Sequence, residues 1–172
     1  ASSSSVYGGS LDLPYRESQP LGTPLSPYAA SKIAAEGLAH SYHHLYGLDV
    51  SVLRYFTVYG PAGRPDMSPF RFVRWIAEGE PVRIFGDGSQ SRDYTFVDDI
   101  ARGTIAALRP LGYAAINLGS DAPVSLLEMA GCVEQIVGRQ AIYEKRPAAD
   151  ADVKATWADI SEARRLLAWE PW

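Results

Sequence analysis

The chain has 172 residues, 47% of them hydrophobic, with a formal net charge of −4 at pH 7 and a pI near 5.3. That length and apolar content suit one globular domain with a sizeable core, and the acidic balance without any Lys/Arg run excludes a nucleic-acid binder that works through a basic face. No apolar stretch reaches the ~20 residues that span a bilayer, no signal-like segment opens the sequence, and the single Cys132 permits no internal disulfide, so a cytoplasmic chain with no membrane partner is expected.

Ala1 to Tyr7 is small and β-tolerant and runs into Gly8-Gly9, which reads as the end of a strand whose sheet edge lacks neighbours. After a loop rich in Pro and Ser, Ser26 as N-cap, Pro27 at the first helical position and Gly47 past the last turn predict a helix from Pro27 to Tyr46. Asp49 to Tyr59 is apolar on both faces, as in a buried parallel strand. Helical periodicity then predicts a helix over Pro69 to Glu78, followed by a strand over Val82 to Phe85, a turn at Gly86-Asp87-Gly88 and a strand over Arg92 to Val97. Asp98 or Asp99 is expected to cap a helix running to Leu108, Ala115 to Leu118 to form a strand, and Ser125 to cap a helix that ends at Val137-Gly138. Ala141 to Glu144 reads as a strand and Asp159 to Leu167 as a last short helix. Cys132, in Ala130-Gly131-Cys132-Val133, is read as a small core residue. The class is α/β or α+β, with no internal repeat, low-complexity segment or linker.

Within the first helix Tyr28 and Lys32 stand at i and i+4, so phenol and ammonium share a face and the cation lowers the proton affinity of a phenol that can act as a base. Alone, such a Y-x-x-x-K pair is weak and reads equally as a solvated Lys beside a half-buried Tyr. Here it follows Ser2-Ser3-Ser4-Ser5-Val6-Tyr7-Gly8 and precedes Arg54-Tyr55-Phe56-Thr57-Val58-Tyr59-Gly60-Pro61 and Phe85-Gly86-Asp87-Gly88 with Arg92-Asp93-Tyr94. With those runs the chain resembles the carboxy-terminal two thirds of NAD-dependent sugar-nucleotide epimerases and dehydratases, the extended short-chain dehydrogenase/reductases. Because Thr57-Val58-Tyr59-Gly60-Pro61 is followed by Gly63-Arg64-Pro65-Asp66-Met67, it is most similar to the UDP-glucuronate 4-epimerases.

The resemblance implies a partial Rossmann-like parallel sheet, its last strands only, plus a small α/β substrate-binding domain. Residues 1–60 are then the remnant of the Rossmann-like domain with the catalytic helix, and 61–172 mainly the UDP-sugar-binding domain, with 90–120 returning elements to the sheet. The amino-terminal dinucleotide-binding half, with its glycine fingerprint, is missing on this reading. Catalysis falls to Tyr28 as base for the C4 hydroxyl while the C4 hydride passes to NAD, to Lys32, which holds the tyrosine's pKa down and contacts the nicotinamide ribose, and to Ser3, which hydrogen-bonds the sugar hydroxyl. Tyr28 and Lys32 are thus also the cofactor contacts, and Ser4 and Ser5 neighbours that share the Ser3 task; the plainer alternative is that these serines only satisfy backbone groups at a strand end. Thr57 lines the substrate. Arg64 pairs with a C6 carboxylate unless it is a solvated loop arginine. Arg92 clamps the diphosphate unless it pairs with Asp93 or Asp87, Phe85 holds the uracil unless it is core, and Asp152 takes the uridine ribose hydroxyls. Ala149 stands where many relatives carry an arginine, and Ala62 where glucuronate epimerases usually place a Trp.

No acid stands just before Val6-Tyr7-Gly8, which favours epimerisation over elimination or decarboxylation. The reaction implied is C4 epimerisation of a UDP-sugar, UDP-glucuronate to UDP-galacturonate, by a chain that alone needs the missing half. The alternatives are a UDP-glucose 4-epimerase and, in a different class, a non-catalytic UDP-sugar-binding or dimerisation module. A homodimer through the Pro27 to Tyr46 helix, with domain swapping as one form, is the expected assembly. His40, His43 and His44 lack ligand partners at metal spacing, Gly60-x-x-Gly63 is no phosphate loop, and no Gly-x-Ser-x-Gly elbow occurs, so no metal is expected.

Overall fold

In the computed structural model, which describes residues 1–147 and 153–172, strands and helices follow one another as a mixed α/β fold. Strand β1 (Ser2–Ser3) passes straight into a 3-10 turn (Ser4–Tyr7), so the strand end read from Ala1 to Tyr7 is two residues of pairing and one tight turn. Helix α1 (Pro27–Tyr46) has the bounds its caps predict: the Ser26 hydroxyl accepts from the Ala29 N–H at 3.1 Å, and Gly47, left-handed at φ 66°, donates to the His43 carbonyl.

The run Asp49 to Tyr59 is two strands in different sheets. β2 (Val50–Tyr55) and β3 (Thr57–Tyr59) part at Phe56, whose N–H bonds the Leu118 carbonyl while its ring turns into the core toward Tyr15. Beyond them come α2 (Ser68–Glu78), β4 (Val82–Phe85), β5 (Ser91–Phe96), α3 (Val97–Ala106), β6 (Tyr113–Leu118), β7 (Pro123–Ser125), α4 (Leu126–Val137), β8 (Tyr143–Arg146) and α5 (Ser161–Leu167). The cap expected of Asp98 or Asp99 is absent: Phe96 stands at the N-cap without a side-chain bond, and both aspartates lie in the first turn, where carboxylates favour the positive end of the helix dipole. Ser125 does cap α4, in a reciprocal box with Glu128. The strand expected at Ala141 begins at Tyr143, and β7 adds a strand the sequence did not announce.

Among the described residues β1, β2 and β6 form a parallel sheet in the order β1-β2-β6; β5 lies between parallel β3 and antiparallel β7; and β4 pairs with β8 in parallel. Two apolar clusters result. One packs Val6, Tyr7, Tyr15, Leu53, Phe56, Ile116 and Leu118 with Ile160, Leu167 and Trp169, the other Phe72, Ile76, Val82 and Ile84 with Ala130 and Val133. Cys132 is not core: α4 turns Ala130 and Val133 inward, and two residues along a helix is a rotation of about 200°, which leaves the thiol exposed.

Candidate active site

The carboxyl ends of β1 and β2, the first turn of α1 and the loop after β3 meet around a cavity of about 660 Å³. Its lining includes Ser3, Ser4, Ser5, Tyr28, Thr57 and Arg64, six residues gathered from three stretches of chain. Tyr28 is half exposed at its mouth, because it sits in the first turn of α1, ahead of the buried part of the helix. The Lys32 ammonium lies 5.6 Å from the centre of the Tyr28 ring and donates to the Ala1 carbonyl at 3.0 Å. The i and i+4 spacing therefore places the cation on the phenol's own ring, where its field also acts on any charge that develops on the oxygen.

Ser3 is nearly buried; its hydroxyl accepts from the Ser5 N–H and donates to the Ser5 Oγ, both at 3.2 Å. The local role, capping the 3-10 turn, thus coexists with a position on the cavity wall. Gly60 closes the opposite side at φ 138°, where a Cβ would come within 2.7 Å of the Val97 side chain. A side chain there would push the wall open. Arg64 reaches the lining while its guanidinium forks onto the Asp66 carboxylate at 3.0 and 2.5 Å, a pairing that raises the arginine's proton affinity and lowers that of the aspartate.

A second cavity of about 350 Å³ shares Thr57 and Met67 with the first and is lined further by Phe85 and Arg92, and by Arg71, Trp75 and Arg83. The residues read as sugar-side and those read as nucleotide-side therefore occupy adjoining hollows. One Arg92 N–H donates to the Ser91 carbonyl at 2.7 Å. Asp152 and the neighbouring Ala149 lie outside the described residues.

Beneath the cavity floor runs a buried polar network that the sequence reading missed. Glu36 follows Lys32 by one more i and i+4 step, so Tyr28, Lys32 and Glu36 form one stripe of α1, the last of them buried. Its carboxylate accepts two N–H bonds from Arg54 on β2, at 3.0 and 2.8 Å, and the Ser2 hydroxyl at 2.5 Å. Arg54 also donates to the Tyr7 hydroxyl at 2.9 Å, which in turn donates to the Asn117 side chain on β6 at 2.7 Å. Burial lowers the Arg54 guanidinium's proton affinity, but its bonds to Glu36 and Tyr7 more than reverse this, while burial pushes the Tyr7 phenol up to about 12 against the pull of Arg54. The acid at that helical spacing was the one available signal. Among the described residues no group of three His, Cys, Asp or Glu is placed to hold a metal ion, and no helix is long and apolar enough to cross a membrane.

Residues 1–119 match the model of the NAD dependent epimerase/dehydratase family. The chain belongs to that family. It is 59% identical over 172 residues to the UDP-glucuronate 4-epimerase of Thermodesulfobacterium geofontis, an alignment covering 99% of this chain and 53% of that protein. It superposes with a TM-score of 0.92 on the crystal structure of UDP-glucuronic acid 4-epimerase from Bacillus cereus in complex with UDP-glucuronic acid and NAD, at 41% identity over 99% of this chain and 55% of that one. A UDP-glucose 4-epimerase from Thermotoga maritima, crystallised with UDP-glucose, gives 0.91 at 30% identity, again over 99% of this chain and 56% of that one. The chain spans about half the length of the family members it matches.

Proposed function

We propose that this chain carries the sugar-nucleotide side of an NAD-dependent C4 epimerase acting on UDP-glucuronate, with residues 1–60 as the remnant of the Rossmann-like domain, 61–172 mainly the UDP-sugar-binding domain, and 90–120 returning elements to the sheet. The observation that carries this reading is the gathering of Ser3, Tyr28, Thr57 and Arg64 around one cavity that adjoins the hollow of Phe85 and Arg92. The residues present fit part of a nicotinamide dinucleotide: the Lys32 ammonium has N–H donors beyond the one given to Ala1, and these suit ribose hydroxyls beside Tyr28. When bound, the nicotinamide supplies a hydride acceptor and donor.

The chain's own residues handle protons and orientation. Tyr28, as phenolate, takes the proton of the C4 hydroxyl and returns it to the epimeric alkoxide; Lys32 stabilises the phenolate, and Ser3 with Ser4 hydrogen-bonds the same oxygen. Arg64 exchanges Asp66 for the C6 carboxylate of a uronate, an exchange a neutral hexose gives no reason for. Arg92 holds the diphosphate, and Phe85 the base. Asp152 is assigned the ribose hydroxyls.

The chain is expected to act as a homodimer through α1, which buries only Ala29 and Glu36 within the protomer and leaves Leu38, Tyr42, Leu45 and Tyr46 as an exposed apolar stripe. The reading is tested by joining the chain to the amino-terminal portion of the Thermodesulfobacterium relative and supplying NAD and UDP-glucuronate. UDP-galacturonate is expected from the fusion, none from the chain alone, and Tyr28→Phe is expected to lower turnover by about 10²–10⁴-fold. A fusion that binds UDP-glucuronate without converting it would leave only the binding-module reading, and one that converts UDP-glucose equally well would remove the role given to Arg64.

A further inference from the structure

Arg54, Glu36 and Tyr7 line neither cavity, yet the elements that carry the proton-transfer residues are tied to them. Within the protomer α1 buries only Ala29 and Glu36, with Ile33 partly buried, so little apolar packing fixes where the helix sits on the sheet. Apolar contact is also non-directional, and by itself sets neither the rotation of a helix nor its position along the axis. A guanidinium fork sets both: Arg54 takes the two oxygens of Glu36 and so fixes the turn of α1 that bears them. Tyr28 stands eight residues earlier on the same stripe, about 12 Å along a rigid helix. Lys32, between them, bonds the Ala1 carbonyl of the neighbouring strand end.

The other arm of Arg54 runs to the serine side. A further N–H donates to the Tyr7 hydroxyl, and Tyr7 is the last residue of the 3-10 turn that Ser3 caps. Ser2, the residue before Ser3, stands opposite Arg54 in the β1-β2 register and donates to the Glu36 carboxylate. Asn117, wholly buried on β6, fixes the far end: it accepts from the Tyr7 hydroxyl while its side-chain N–H groups go to the Tyr15 and Asp159 carbonyls. One guanidinium on β2 thus holds the helix that carries Tyr28 and the turn that carries Ser3. A buried ion pair is close to neutral in stability against apolar residues of the same volume, so what this one adds is registry.

We propose that Arg54 is a positioning residue for the proton transfer: through Glu36 and Tyr7 it sets the Tyr28 phenol and the Ser3 hydroxyl at the separation where both meet one substrate oxygen. The assignment rests on the epimerase reading of the site. Arg54→Lys keeps a charge beside Glu36 but loses the fork that serves two partners at once, and Glu36→Gln keeps the volume but leaves one acceptor oxygen.

The test uses the fusion described above for kinetics and the chain itself for 15N spectra. In the fusion, Arg54→Lys and Glu36→Gln are each expected to lower kcat about 10²-fold with KM for UDP-glucuronate unchanged, as a small misplacement of reacting groups does. Leu167→Ala, a cavity in the first apolar cluster on α5, is expected to lower the melting temperature while kcat stays that of the parent. In the chain, the Ser5 amide, held by the Ser3 hydroxyl, and the Ala29 amide, held by the Ser26 hydroxyl, are both expected to shift in Arg54→Lys and to stay in place in Leu167→Ala. Parent kcat in either network variant, or a loss in Leu167→Ala equal to theirs, overturns the positioning and leaves the epimerase reading standing. Ser5 and Ala29 amides that do not move in Arg54→Lys overturn it as well. If the parent fusion forms no UDP-galacturonate, both fall.

Discussion

Single residues in the buried network carry charge where solvent cannot help. Glu36 and Arg54 are both nearly fully buried, and breaking such a pair from one side strands the other charge, at a cost of about 3–5 kcal/mol. Glu36→Ala is therefore expected to lower the stability by that order in denaturant melts, and Glu36→Ala with Arg54→Met to recover part of it; equal losses in single and double variants would show that the charge pair is not the cause. Tyr7 gives a pH dependence. Its phenol titrates near 12 when folded against an ordinary value near 10, so the folded state favours the neutral form. That contribution is whole below pH 10 and disappears as pH rises from 10 to 12, an alkaline loss of roughly 2–3 kcal/mol. Other tyrosines are shifted the same way, so the measurement is the difference between the parent and Tyr7→Phe across pH 9–12, which is expected to narrow as pH rises. A constant difference would mean that Tyr7 stays neutral throughout.

At the scale of elements, what was legible depended on whether a signal was local. Caps are local: Ser26-Pro27 and Gly47 gave α1 its bounds, and Ser125 gave α4 its start. Tyr28 and Lys32 were legible because both lie on one helix, where spacing alone fixes a shared face. The apolar run from Asp49 to Tyr59 could not reveal that the strand changes sheets at Phe56, since partners β6 and β5 come from far along the chain. The Arg71, Trp75 and Arg83 wall was hidden for the same reason, being split between α2 and β4. The outer stripe of α1 makes a further prediction. A helix that buries little of its own in the protomer and exposes Leu38, Tyr42 and Leu45 one or two turns apart fits a second copy of itself. Leu38→Glu with Leu45→Glu is expected to shift sedimentation from dimer to monomer without loss of helix content. A parent chain that sediments as a monomer at high concentration would remove the interface, and a dimer that survives both changes would move it to another surface, including an exchanged strand.

Across the whole molecule the two apolar clusters have to be held in one relation, because Ser3 and Tyr28 stand on the first while Phe85, Arg71 and Arg83 stand on elements of the second. Asp93 on β5, wholly buried, is the tie. Its carboxylate accepts the N–H and the hydroxyl of Ser120 and the N–H of Asp121 from the loop after β6, and the Ala158 N–H from the segment before α5. Burial raises its proton affinity and these donors draw it back, so the carboxylate is a junction in which loop, sheet and the last segment are matched donor by acceptor. Arg92, the preceding residue on the same strand, lines the second cavity, so whatever loosens Asp93 also loosens that wall. Asp93→Ala leaves several buried donors without an acceptor at about 1–3 kcal/mol each, so a loss of at least about 3 kcal/mol and a melting point lower by roughly 6–12 °C are expected. Asp93→Asn keeps one acceptor oxygen and should fall between the two. Hydrogen exchange then locates the effect: amides of Ser120, Asp121 and Ala158 are expected to lose protection first, while Phe72, Ile76 and Val133 keep theirs. If protection falls evenly over both clusters, they unfold as one unit and Asp93 contributes stability without acting as the joint between them.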